Sequence, residues 1–492
     1  MISAKKIAFL LLGPCMFLIL QLLDGPKGMP ENAYDMLSIA IWMAIWWITE
    51  VIPIGVTALL PILLFPLTGA VDISATTAAF GHKYVFLYMG GFILAIAIEK
   101  WGLHKRIALH IIKIIGTNVS KIILGFMVAT AFLSMWISNT ATSVMMLPIG
   151  MSIVFQLKDN PHTEKNEHLI FGKALMLSIA YSASIGGIGT LIGTPPNLVL
   201  AGFVEKTYGI EITFWQWAKF GFPVSIVLLW IAWYYLTNVA FKFKQKEFPG
   251  GREEINRLVS KLGPMKKEEK VVLAVFFLTA FFWITRSFIW QRIIPGIDDT
   301  IIAIASGILL FILPSTKKDE PIINWKEAVK LPWGIILLFG GGMALATGFE
   351  ITGLANWLGA QAGLLQDLSL LLLIFVVITV VNFFTEVTSN LATTAMLLPI
   401  LAPIAISLEV SPYMLMVATT VAASCAFMLP VATPPNAVVF GSGYLKIPDM
   451  IKSGFWMNVI SILFLTVAVY LLLPFVWNFA PENFREFLEN IR

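Results

Sequence analysis

The sequence predicts an all-α polytopic membrane protein of two inverted-topology repeats, each with a re-entrant hairpin and a broken helix, about 11 spans in all. Three observations lead there. The chain is 58% hydrophobic and only 13% charged over its 492 residues, against roughly 25% charge in a soluble globular protein. Uncharged runs such as 174–204, 300–316 and 453–481 approach or exceed the roughly 20 residues a helix needs to cross a bilayer. They are continuously apolar and do not alternate in and out, so they read as helices and not as barrel strands. Finally, "SNTATSVMMLPI" from Ser138 recurs as "SNLATTAMLLPI" from Ser389, 251 positions on.

The elements follow in order. "MISAKKIAFLLLGPCMFLILQLLDG" resembles a signal peptide, but no small-residue cleavage site follows its apolar core. It reads as a first span, about 7–23, with Lys5 and Lys6 on the cytoplasmic side. The mixed-charge loop around Asp24–Asp35 then falls outside. Spans at about 36–52 and 54–68 follow, the second opening after Pro53. The next, about 84–98, must end inside, where Lys100, Lys105, Arg106, Lys113 and Lys121 face Glu99 alone, as positive-inside loops require.

Residues 122–157 hold 36 uncharged positions, too long for one span and too short for two, so a hairpin entering and leaving on the cytoplasmic side is expected. Spans at about 172–200 and 215–240 bring the chain back to a solvated cytoplasmic linker, 242–270, with nine Lys/Arg. The plan then repeats. Spans at about 271–290, 300–314 and 333–349 enclose an inner loop with Lys317, Lys318, Lys326 and Lys330. A second hairpin, about 370–404, enters from outside, and spans at about 412–440 and 453–477 leave the C-terminus outside.

The repeat extends beyond the Ser-Asn motifs. "GGFILAIAIEKWGL" (90–103) aligns with "GGMALATGFEITGL" (341–354) at the same offset of 251, and "GTPPN" (193–197) with "ATPPN" (432–436) at 239. Five crossings separate Glu99 from Glu350, an odd number, so the halves face opposite ways. Inverted repeats with broken helices meeting near the midplane are the architecture of secondary transporters.

The motifs suit ions. Consecutive prolines interrupt a helix and free backbone polar groups, which are tolerated at membrane depth only when buried in protein or lining a polar cavity. Carbonyl, hydroxyl and Asn oxygens suit a hard cation such as Na⁺, while helix N-termini suit an anion. No Lys, Arg or His lies within 122–157, 370–404 or 410–445. An anion held there must rely on dipoles and co-bound cations, which is a physical reason to couple its entry to Na⁺. A lone Ser-Asn pair is explained by interhelical hydrogen bonding, but two symmetric copies, each followed by TPPN, are not.

Gly90-Gly91 and Gly341-Gly342 are read as close-packing positions with no ligand role. Glu50 is a helix-end cap or a functional carboxylate, and Glu386, one turn before Asn390, is a candidate for tuning a cation site. Cys15 and Cys425 both sit in apolar segments, against a disulfide framework. His82, His104, His110, His162 and His168 avoid the motifs and show no zinc spacing. An enzyme is disfavoured, because no convergent acid–base set or nucleophile elbow is present.

"FLSMWISNTATSVMMLPI", "YSASIGGIGTLIGTPPN", "TEVTSNLATTAMLLPI" and "CAFMLPVATPPNAVVFGSGY", with "WWITEVIPIGVTALLP" and "GGFILAIAIEKWGLHKRIAL", resemble the divalent anion/sodium symporter family over nearly the whole chain. The resemblance implies a homodimer in the plasma membrane and an elevator mechanism. Scaffold helices would fall in 1–121 and 271–369, and transport regions in 122–241 and 370–492, joined by the 242–270 linker. It implies one Na⁺ site at Ser134, Ser138, Asn139 and Gly187, and another at Thr385, Ser389, Asn390 and Ala432. Substrate carboxylates would meet Asn139, Thr140, Thr194, Pro195, Asn390, Thr433 and Pro434. The second motif carries Leu391 where a full copy would have a hydroxyl, so an asymmetric site is expected. Na⁺-coupled uptake of C4-dicarboxylates such as succinate, malate and fumarate is the leading expectation, with sodium-independent dicarboxylate exchange on the same fold as the alternative. A nucleic-acid partner is not expected.

Overall fold

A computed structural model describes residues 4–116, 118–159, 166–243, 251–317 and 320–481. His162, Lys318, part of the linker and the C-terminal residues 482–492 lie outside the described residues. Among the described residues every named element is helical, and nine helices are long and apolar enough to cross a membrane, with shorter apolar helices between them.

Each half builds the same series. A span (Lys83–Lys100, Trp333–Ile351) is followed by a short helix (Leu103–Ile115, Leu354–Ala360), then by a hairpin and a broken helix. The turn between span and short helix is made by Gly102 and Gly353, at φ 72° and 78°, a left-handed backbone that favours glycine. The hairpin arms are Val119–Ser134 with Asn139–Asp159, and Leu370–Phe384 with Asn390–Ser407. Asn118 and Ser369 cap the first arm of each, accepting from Lys121 N at 2.8 Å and Leu372 N at 3.4 Å, which satisfies first-turn donors that have no intrahelical partner.

The broken helices are Glu167–Ile188 with Pro195–Tyr208, and Pro412–Ala423 with Pro434–Phe440. In both, the proline pair opens the distal limb and the break lies before it. The interruption is therefore upstream of TPPN and not at it, because proline lacks only an N–H that the first helical turn has no use for. The proximal limb packs on its own half's hairpin, whereas each distal limb packs on the other half's hairpin: Pro195–Tyr208 on Asn390–Ser407, and Pro434–Phe440 on Asn139–Asp159. That exchange is what brings both motifs to one place.

The glycine pairs pack as expected. A Cβ on Gly90 would lie 2.6 Å from Ala303 backbone, and one on Gly341 2.5 Å from the Ala58 carbonyl. Other expectations need correction. The span expected at 36–52 begins at Glu31, and that expected at 54–68 is two short helices, Ile54–Thr57 and Leu60–Thr68. The last span starts at Ile447, where Pro448 and the Asp449–Lys446 capping contact set the start ahead of the apolar run. The linker is not wholly solvated: Gly251–Lys261 is a helix that packs on Leu103–Ile115 and Asn139–Asp159. Its Glu254 is buried, accepts from Ser152 Oγ at 2.8 Å and pairs with Arg257. Arg257 and Ser152 together hold that carboxyl below its ordinary range against the opposing effect of burial.

Candidate functional site

Four helices begin at one cavity of about 540 Å³. Its walls carry Ser138, Asn139 and Thr140, then Gly193–Pro196, Ser389–Leu391 and Pro430–Pro435. All seven residues expected to meet substrate therefore line a single space: Asn139, Thr140, Thr194, Pro195, Asn390, Thr433 and Pro434. Helix N-termini carry partial positive charge, so the cavity is favourable to an anion with no basic side chain among those that line it. The facing wall holds Tyr88, Phe92, Ile54, Ile335 and Glu50. Tyr88 and Phe92 rings meet edge-on at 4.3 Å. Glu50 is the C-terminal cap of its helix, at φ 45°, and also lines the cavity.

Behind this wall lie two matching oxygen clusters. Ser134 Oγ is 2.6 Å from Asn139 Oδ1 and 2.7 Å from the Ala183 carbonyl. Thr385 Oγ1 is 2.8 Å from Asn390 Oδ1 and 3.1 Å from the Ala423 carbonyl. A hydroxyl has one proton, so it can donate to only one of the two acceptors it touches. Three oxygens sharing one proton form an electron-rich pocket, and oxygen ligands of this kind are what hard cations prefer. Both hydroxyls are fully buried.

The remaining expected cation ligands are placed differently. Ser138 and Ser389 lie on the cavity wall, and Ser138 Oγ accepts from Ala141 N at 3.3 Å. Gly187 sits under Asn139: a Cβ there would be 2.8 Å from Asn139 Oδ1. Its carbonyl accepts from Asn197 Nδ2 at 3.1 Å, and Ala183 supplies the carbonyl that meets Ser134. Ala432 lines the cavity, while the carbonyl that meets Thr385 is that of Ala423.

The TPPN asparagines have a shared task that the motif did not disclose. Asn197 Nδ2 donates to Gly187 O and Thr190 O, at 3.1 and 2.8 Å; Asn436 Nδ2 donates to Ala426 O and Leu429 O, at 3.2 and 3.0 Å. Each ties its distal limb across the break to carbonyls ten and seven positions upstream. Other freed carbonyls are met by the next span (Phe214–Tyr234): Trp217 Nε1 reaches Ile188 O at 2.9 Å and Ser225 Oγ reaches Ile185 O at 2.8 Å. Unsatisfied carbonyls at membrane depth are costly, and this bonding lets the break persist.

Comparison with known proteins agrees with the architecture. The family described as "Sodium:sulfate symporter transmembrane region" matches residues 4–477. A sodium-dependent dicarboxylate transporter, SdcS, of Staphylococcus saprophyticus is 46% identical over 96% of this chain and 92% of its own length. The protein of the same name from Staphylococcus aureus strain USA300 is 47% identical with the same coverage. Two solved transporters share the fold at low identity. The Alcanivorax borkumensis YdaH transporter has a TM-score of 0.60 at 14% identity, over 97% of this chain and 99% of its own. Neisseria gonorrhoeae MtrF has 0.58 at 12%, over 92% and 98%. With the family matched over nearly its full length and relatives almost half identical to it, this chain belongs to the sodium:sulfate symporter family, the divalent anion/sodium symporters.

Proposed function

We propose that the protein couples the inward movement of Na⁺ to uptake of C4-dicarboxylates such as succinate, malate and fumarate. The observation that carries the reading is the pair of proton-poor oxygen clusters, Ser134–Asn139–Ala183 and Thr385–Asn390–Ala423, set behind a cavity where four helices begin. Each cluster holds one Na⁺. The two ions and the helix N-termini together offset a dianion's charge, which no side chain there can do. Asn139 and Asn390 belong to both surfaces, with the cluster on one side and the cavity on the other. Occupancy of the clusters by Na⁺ thus sets the geometry that meets the carboxylates. The relatives named sodium-dependent dicarboxylate transporters support this substrate class.

The cycle in this reading is an elevator. The hairpins and broken helices, 122–241 and 370–492, carry the site across the membrane against scaffold helices in 1–121 and 271–369. Tyr88, Phe92 and Ile335 belong to the scaffold and form the wall the site slides along. The protein works as a homodimer in the plasma membrane, with its N-terminus cytoplasmic and its C-terminus outside.

The deciding experiment is uptake of labelled succinate into proteoliposomes. An inward Na⁺ gradient into empty vesicles is compared with sodium-free vesicles preloaded with unlabelled dicarboxylate. Uptake under the Na⁺ gradient alone is expected. Uptake that requires internal dicarboxylate and ignores Na⁺ would make the protein an exchanger, with the clusters reassigned as substrate contacts.

A further inference from the structure

The two halves hold their broken helices open by different means. In the first half the gap is short, 189–194; the hairpin meets it through Met135, whose carbonyl accepts from Thr190 Oγ1, and packs closely on the limb just before it, where a Cβ on Gly186 would be 2.3 Å from the Ala131 carbonyl. In the second half the gap runs from 424 to 433, and Asn382 and Glu386, one turn apart, bond to it. Asn382 Nδ2 donates to Cys425 O at 2.6 Å. Glu386 Oε1 accepts from Phe427 N at 2.7 Å, Met428 N at 2.9 Å and Asn458 Nδ2 at 2.7 Å, while Oε2 accepts from Leu429 N at 3.0 Å. The residue in register with Glu386 in the first half is Met135, which offers the break only its backbone carbonyl and no carboxylate.

Glu386 is 3% exposed. Its partners are three consecutive backbone N–H groups and an amide, and no basic side chain is available in 370–404 or 410–445. A buried carboxylate is costly without hydrogen bonds, and here each oxygen has at least one. The restraint reaches the cavity through Leu429, whose carbonyl accepts from Ala432 N at 3.2 Å and from Asn436 Nδ2 at 3.0 Å. Pro430–Pro435, which line the cavity, are thereby pinned at both ends. Glu386 also directly follows Thr385, the hydroxyl of the second oxygen cluster.

We propose that Glu386 is the positioning residue of the second site. It holds the 430–435 wall in register with the Thr385–Asn390 cluster, and its negative charge makes that cluster the stronger of the two for Na⁺. The proposal rests on the Na⁺-coupled reading above. The three N–H groups it occupies form the kind of concavity that binds anions. Glu386 therefore withholds them from the substrate, whose carboxylate on this side is left with the polar groups of Ser389, Asn390 and Thr433.

The test compares wild type, Glu386→Gln, Asn458→Ala and Ser134→Ala by Na⁺ activation of succinate uptake and by the Na⁺-induced rise in unfolding temperature of the purified protein. Glu386→Gln keeps the volume but loses the charge and one acceptor. It is expected to raise half-saturating Na⁺ by about tenfold or more, raise the succinate KM, and shrink the Na⁺-induced thermal shift more than Ser134→Ala does. Asn458→Ala keeps the charge and loses two bonds, its own to Glu386 and the longer one it accepts from Phe427 N at 3.2 Å, so its shift in both constants should be in the same direction and smaller. A Glu386→Gln protein with wild-type Na⁺ and succinate constants overturns the role. If Glu386→Gln does not fold, Asn458→Ala decides, and unchanged constants in it overturn the role. A wild type indifferent to Na⁺ in both assays sinks the functional reading as well, whereas a responsive wild type beside an equally responsive Glu386→Gln sinks only this inference.

Discussion

Arg286 grips Glu211 with both terminal nitrogens, at 2.9 and 2.7 Å, while being only 1% exposed itself. Its Nε lies 3.6 Å from Asp299 Oδ1, and Lys83 Nζ lies 3.6 Å from Glu211 Oε1. Asp299 in turn accepts from Phe214 N at 2.7 Å. The network ties the turn after the first broken helix to helices that begin or end 75 and more positions away. Glu211→Gln leaves a buried guanidinium short of its anion. We expect a loss of about 3 kcal/mol, the low end for a broken buried pair, read as a lowered thermal midpoint in detergent.

Glu211 also sets a pH dependence. Burial pushes its carboxyl up, but Arg286 and Lys83 outweigh that and hold it below its ordinary 4.5. A depressed carboxyl contributes stability that is complete above the unfolded value and lost as pH falls through the folded one. Wild type should lose thermal stability as pH is taken below about 4.5, the reference value for such a carboxyl. Glu211→Gln should show a smaller loss over the same window. Parallel pH–melting curves for the two proteins check the sign.

Ser134→Ala and Thr385→Ala each remove the hydroxyl from one oxygen cluster. A hydrogen bond or contact to a charged group contributes about 1.5–3 kcal/mol, so each is expected to raise half-saturating Na⁺ by roughly tenfold or more. Na⁺ activation curves of uptake measure it. Curves that coincide with wild type for both variants would remove the clusters from the cation pathway.

Gly187→Ala places a Cβ 2.8 Å from Asn139 Oδ1 and 3.1 Å from Thr194 Cβ. Overpacking of this kind typically costs about 1–3 kcal/mol, and here it falls on a residue shared by cluster and cavity. The variant should remain monodisperse on gel filtration with transport reduced about fivefold or more, by that same cost converted to a rate or affinity. Gly263→Ala, whose Cβ would meet nothing but lies at φ 63°, serves as the comparison and should transport normally.

Leu391 lines the cavity on the second side as Thr140 does on the first. Leu391→Thr adds a hydroxyl, at the position matching Thr140, to a wall that already carries Ser389, Asn390 and Thr433. A new bond to a carboxylate should tighten dicarboxylate KM by about tenfold or change the preference among succinate, malate and fumarate. Competition of each acid against labelled succinate reads both, and an unchanged ranking and KM would show that Leu391 does not face the substrate.

Local features of the sequence settled a great deal. Uncharged runs, Lys-rich loops, the 251-residue offset between Ser138 and Ser389 and the two TPPN segments carried the spans, the hairpins and the inverted repeat. They carry that information because length, charge and proline act on the backbone within a few residues of themselves. The same local signals misplaced the break, since a proline pair looks like an interruption until the helix it begins is seen.

What the sequence could not disclose were partners between distant elements. Ala183 and Ala423 supply carbonyls to the oxygen clusters from 49 and 38 positions away, and an alanine carbonyl has no signature, because every residue has one. Glu386 was visible as a carboxylate in an apolar stretch, but its bond to Asn458, 72 positions on, depends on how three helices pack. The buried Arg286 and the docked helix Gly251–Lys261 are of the same kind. Sequence determined which backbone would break and which oxygens were available; only tertiary packing decided which of them meet, because contact across helices depends on their relative placement and not on any one segment.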